Sequence, residues 1–84
     1  MDLTDARMQA AIEARTKFLQ EEGSDQAVTH LIETQASFEE YRYSSCVLMQ
    51  DINVGWIADD LATNCYNYLT RQRTDFLNTQ WRAN

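Results

Sequence analysis

Gln35-Ala36-Ser37-Phe38-Glu39-Glu40-Tyr41-Arg42-Tyr43-Ser44-Ser45-Cys46 is the stretch on which the fold reading turns. It contains neither Gly nor Pro, and Gln35, Phe38, Arg42 and Ser45 recur at steps of three and four, the period of one helix face. Extended backwards, the stripe takes in Val28 and Leu31; extended forwards, it reaches Met49. Gln35 and Arg42 interrupt a largely apolar row. A guanidinium on a core-facing stripe has to be paired or hydrogen-bonded, because burying a bare charge is prohibitive.

This helix has readable limits. Ser24 or Asp25 is placed to cap its start, and its end falls near Asp51 to Gly55. A first helix runs from about Thr4 to Glu21, with Met8, Ala11, Ile12, Arg15 and Leu19 on one face. Gly23 stops it, since Gly tolerates the left-handed conformation at a helix end. A third helix starts near Trp56 or Ile57, carries Asp59 and Asp60 in its first turn, and aligns Leu61, Cys65, Leu69, Gln72 and Phe76 before fraying toward Trp81. Short connections make neighbouring helices antiparallel. The expected fold is therefore all-α: a small antiparallel three-helix domain spanning residues 1–84, with no repeat or linker. Cys46 and Cys65 come level in the second hairpin, where a bridge is allowed if the Cα atoms lie within about 7 Å. Taken alone, two cysteines leave reduced thiols equally open.

Composition narrows the function. Eighty-four residues bury only roughly 60% of their unfolded surface, so the core is small and a covalent staple would help. A net charge of −6 argues against nucleic acid, whose phosphates demand a basic stripe, and against anionic membrane surfaces. It favours a basic protein partner, although solubility alone also accounts for it. No run approaches the roughly 20 apolar residues that span a bilayer. The first 20 residues carry charges throughout and lack the apolar core of a signal peptide.

Catalytic and metal chemistry find little support. His30 is the single histidine, and Cys46 and Cys65 are too few and too widely spaced for a structural zinc or a redox motif. Asp51-x-Asn53-x-Gly55 begins like a calcium loop, but the Gly comes one residue early and position twelve is Ala62. Glu39 and Glu40 are adjacent on a helix and point apart. The expectation is a non-enzyme without cofactor or metal.

The quoted segment also resembles the "AQ-x-x-W-x-x-(Y/F)-R-x-x-x-C" signature of the LprI-type lysozyme inhibitor domain family (DUF1311). Cys65-Tyr66-Asn67-Tyr68-Leu69-Thr70-Arg71-Gln72-Arg73-Thr74-Asp75-Phe76-Leu77 resembles that family's "C-x-x-x-(L/M)-T-x-x-R-x-x-x-L" ending. Asp5-Ala6-Arg7-Met8-Gln9-Ala10-Ala11-Ile12 is similar to its weaker "AD-x-x-L-N-x-x-Y" element, with Met8-Gln9 for Leu-Asn and Ile12 for Tyr, and Phe38 stands at the Trp position. The resemblance implies a small, exported, helical bacterial protein with a Cys46–Cys65 disulfide. It implies a periplasmic or secreted location, with the export signal absent from the chain as it stands, and binding to a basic, lysozyme-like cell-wall hydrolase. The motif positions are Gln35, Phe38, Arg42, Leu69, Thr70 and Arg73, read chiefly as structural. Tyr43, Trp56, Tyr66 and Tyr68 form the candidate partner surface, since aromatics off the buried stripes serve as interface anchors. Other classes also fit: a non-inhibitory envelope adaptor, an immunity-type protein that neutralises a cognate toxin, or a homodimer burying the tyrosine-rich face.

Overall fold

The computed structural model describes residues 3–79. Two glycines with positive φ, Gly23 at +75° and Gly55 at +65°, divide the chain into three helices. These are α1 (Leu3–Glu21), α2 (Asp25–Asp51) and α3 (Gly55–Asn78). At Gly23 the chain leaves α1 by a paired hydrogen-bond pattern: the Ser24 N–H donates to the Leu19 carbonyl and the Gly23 N–H to the Gln20 carbonyl, both at 3.0 Å. This is a Schellman ending, which needs a left-handed residue at the Gly position. Ser24 precedes α2 but makes no side-chain capping bond. At the far end of α2, the Asn53 amide donates to the Met49 carbonyl at 2.9 Å and satisfies one of the carbonyls left open by the helix end.

The order of cross-helix partners fixes the directions. Asp5 meets Arg42 and Met8 meets Gln35, so α1 and α2 are antiparallel. Gln50–Asp59, Cys46–Cys65, Arg42–Thr70 and Gln35–Arg73 step in opposite senses, so α2 and α3 are antiparallel too. Asp5–Tyr66 and Arg15–Leu77 run in step, which makes α1 and α3 parallel. The expected disulfide is present between α2 and α3, with Cα atoms 5.5 Å apart.

Met8, Ala11, Leu19, Leu31 and Leu77 form the core, with Ile12, Ala27, Val28 and Phe38 packed against it. The buried face of α3 differs from the sequence expectation. Leu61, Gln72 and Phe76 are exposed, whereas Ala58, Thr70 and Leu77 are buried. The cause is that α3 packs on α1 as well as α2, so its inward face lies between two neighbours and is rotated toward Thr70. Thr70 is tolerated there because its hydroxyl donates to the Tyr66 carbonyl at 2.7 Å and is therefore satisfied. Asp59 and Asp60 fall outside the first turn, because α3 begins at Gly55. Trp81 lies outside the described residues.

The helices are unequal, and this shapes the molecule. Beyond Arg42, α2 continues for nine residues, about 13 Å, whereas only Leu3 and Thr4 of α1 are described before Asp5, about 3 Å. Among the described residues, the α2–α3 hairpin therefore projects about 10 Å past α1 as a two-helix arm. Within residues 43–65 only Cys46 and Ala58 are buried. The arm has almost no core, and the disulfide at its base does the work that a third helix does for the rest of the bundle.

Candidate functional site

Between the arm and the core lies a polar lock. Arg42 on α2 is buried, and its Nη1 donates to Asp5 Oδ1 on α1 at 3.2 Å and to Thr70 Oγ1 on α3 at 3.0 Å. One side chain thus ties all three helices. Its guanidinium also stacks on the Tyr66 ring, with Cζ 4.0 Å from the centroid, and approaches Phe38 at 5.2 Å. Tyr66 donates its hydroxyl to Asp5 Oδ2 at 2.6 Å. Burial, and then the hydrogen bond to Asp5, push the Tyr66 phenol above its ordinary value of 10.0.

A second arginine extends the arrangement. Arg73 on α3 donates through Nε to Gln35 Oε1 at 2.8 Å and through Nη2 to Thr34 Oγ1 at 3.2 Å. Its guanidinium lies between the rings of Phe38 and Phe76, at 5.7 and 5.5 Å. Gln35 completes its bonding by donating to Met8 Sδ at 3.7 Å. Desolvation draws the Arg73 guanidinium below the ordinary arginine range. Tyr66, Arg42, Phe38, Arg73 and Phe76 therefore form a ladder in which cations alternate with rings, an arrangement worth about 0.5–2 kcal/mol per contact. Among the described residues, no buried side-chain nitrogen or oxygen lacks a partner.

Gln35, Phe38, Arg42, Thr70 and Arg73 thus meet in one cross-helix network, beside the partly buried Leu69. The four aromatic candidates do not share one face. Tyr43 and Tyr66 line a shallow groove of about 620 Å³ between α2 and α3, with Cys46 in its wall. Trp56 stands at the tip of the arm. Tyr68 is exposed on α3, where its hydroxyl accepts from Gln72 at 2.8 Å.

Sequence reading missed Arg15. It was placed on the inner face of α1, yet its Nε donates to the Leu77 carbonyl and its Nη2 to the Thr79 carbonyl at 2.6 Å. It caps the end of α3, whose last turn has no basic residue of its own. The available sign was a cation at a core-facing position of a helix whose neighbour ended without one. Asp5, the first residue of the family-like segment on α1, is likewise the counter-ion of Arg42.

Both cysteines are in the bridge, so neither offers a thiolate. Among the described residues, no three His, Cys, Asp or Glu side chains come together as a metal site. A family model described as "Lysozyme inhibitor LprI" matches residues 1–77. The chain belongs to the LprI family. The segments that resemble the family's paired motifs supply the side chains of the lock: Gln35, Phe38 and Arg42 on α2, Thr70 and Arg73 on α3, and the two cysteines beside them. In this LprI member those side chains join neighbouring helices. No curated protein and no solved structure matches the chain. No helix among the described residues is long and apolar enough to cross a membrane.

Proposed function

We propose that this protein binds a lysozyme-like cell-wall hydrolase outside the cytoplasm and inhibits it by occupying its cleft, without catalysing a reaction itself. The family match over residues 1–77 carries this reading. Two features support it. The disulfide is of the kind that persists in the periplasm or in secretions. The net charge of −6 steers a basic enzyme into encounter and disfavours anionic partners.

The test uses the oxidised protein at micromolar excess over a panel of basic lysozymes. Slower lysis of cell-wall substrate, with binding seen by calorimetry, is the expected result. Unchanged lysis and no heat of binding across the panel would refute it.

A further inference from the structure

We infer that the apex of the two-helix arm is the docking end, and that it fits a cleft with an apolar floor and a basic rim. The inference deepens the hydrolase reading above and rests on it. Ile52, Val54 and Trp56 are 65%, 85% and 77% exposed at the apex. Ile57 is exposed beside Trp56, and Leu48 and Leu61 are exposed one to two turns behind them. Six large apolar side chains thus crowd one end of the molecule, in the segment where burial is least. Such a patch marks an interaction site on a protein whose core already closes elsewhere.

Charge and size choose the occupant. From residue 43 to residue 70 the chain has three acidic residues, Asp51, Asp59 and Asp60, and no Lys, Arg or His. All three acids are exposed around the apex. A second copy of the arm would bring like charge against like, so a basic rim is the complement. The end face of two helices side by side covers only about 200 Å² at a helix diameter of about 10 Å. A stable interface takes about 800 Å² from each partner. Resting on a flat surface, the apex falls well short. Sunk about 10 Å deep, with its sides also covered, it reaches that figure, and this depth engages Leu48 and Leu61. A convex arm therefore calls for a concave receptor. The disulfide at its base keeps the two helices from splaying on entry, which limits the ordering cost of binding.

The experiment compares the unaltered protein with three variants, using calorimetry against a basic lysozyme from the panel and sedimentation velocity without it. Val54→Ser/Trp56→Ser blunts the apex, Asp59→Asn/Asp60→Asn removes rim charge, and Ile32→Ser alters an exposed apolar residue far from the arm. Circular dichroism melts confirm that each is folded. The expected result is binding at least about tenfold weaker for the apex variant, weaker and less salt-sensitive binding for the charge variant, and no change for Ile32→Ser. If the unaltered protein binds and the apex variant binds as well, the arm is not the docking end and the hydrolase reading stands alone. If the unaltered protein binds no lysozyme, both fall. A dimer that the apex variant dissolves would assign the apex to a second copy and overturn the inference.

Discussion

Arg42 of α2 reaches Asp5 of α1 at 3.2 Å, and the two ends of this ion pair live in different environments: the arginine side chain is 9% exposed and the aspartate 45%. The asymmetry makes the pair's members unequal. Replacing Arg42 by Ala removes bonds to two helices and leaves Tyr66 and Phe38 without the cation between them. The cost expected is about 3–4 kcal/mol. Replacing Asp5 by Ala leaves Arg42 bonded to Thr70 and stacked on Tyr66, with water able to reach the vacated side, and costs about 1 kcal/mol. Urea unfolding of both variants measures the difference. Equal losses would mean that Arg42 is not the shared tie.

The disulfide closes a loop with a sequence separation of 19 residues, worth about 3 kcal/mol in the denatured chain. In a domain of this size its removal lowers Tm by roughly 12–24 °C. The loss should be local first. In Cys46→Ser/Cys65→Ser, amide exchange is expected to accelerate over residues 47–64 while the centre of α1 stays protected. Uniform acceleration would show that arm and body open together.

Tyr66 makes stability depend on alkaline pH. Its phenol is held above 10.0 in the folded protein by burial and by its bond to Asp5. The stabilising contribution is therefore complete below the unfolded value and is lost as pH rises through the folded one. Melting temperatures recorded from about pH 8 to about pH 11.5 should fall more steeply for the unaltered protein than for Tyr66→Phe, which has no proton to lose. Parallel curves would show that the phenol does not sense folding.

Phe76 and Leu77 test which face of α3 is buried. Leu77 is wholly enclosed and Phe76 is exposed against Arg73. Leu77→Ala is expected to cost about 2–5 kcal/mol, and Phe76→Ala about 1 kcal/mol or less. Chemical denaturation orders them, and the reverse order would place α3 as its apolar spacing alone suggests.

That last contrast shows where the sequence was readable. On α2, Leu31, Gln35, Phe38, Arg42 and Cys46 keep one period, because α2 packs mainly on α3 and far less on α1. The three helices, their order and the cysteine pairing followed from such stripes together with the family motifs. On α3, two packing partners share the inward face, and the buried Thr70 is polar by composition though satisfied locally. An apolar count then selects Leu61 and Phe76 and misses Leu77. The partners of Arg42 and Arg73 were legible only as a requirement. That Asp5 answers the first, and Gln35 with Thr34 the second, depends on helix register. Arg15 capping α3 joins residues 62 positions apart, a distance no local pattern spans. The apex was hidden for another reason: the relative lengths of α1 and α2 decide what protrudes, and length mismatch leaves no mark on any single residue.

The covalent link at the base of the arm has a consequence for change over generations. Because a sulfur bridge ties that hairpin at its base and its tip side chains are exposed, those side chains contribute little to the folding of the body. Ile52, Val54 and Trp56 can be exchanged for other residues at little cost to the scaffold. A lineage keeping the two cysteines and the arginine ladder is thus free to rewrite its tip.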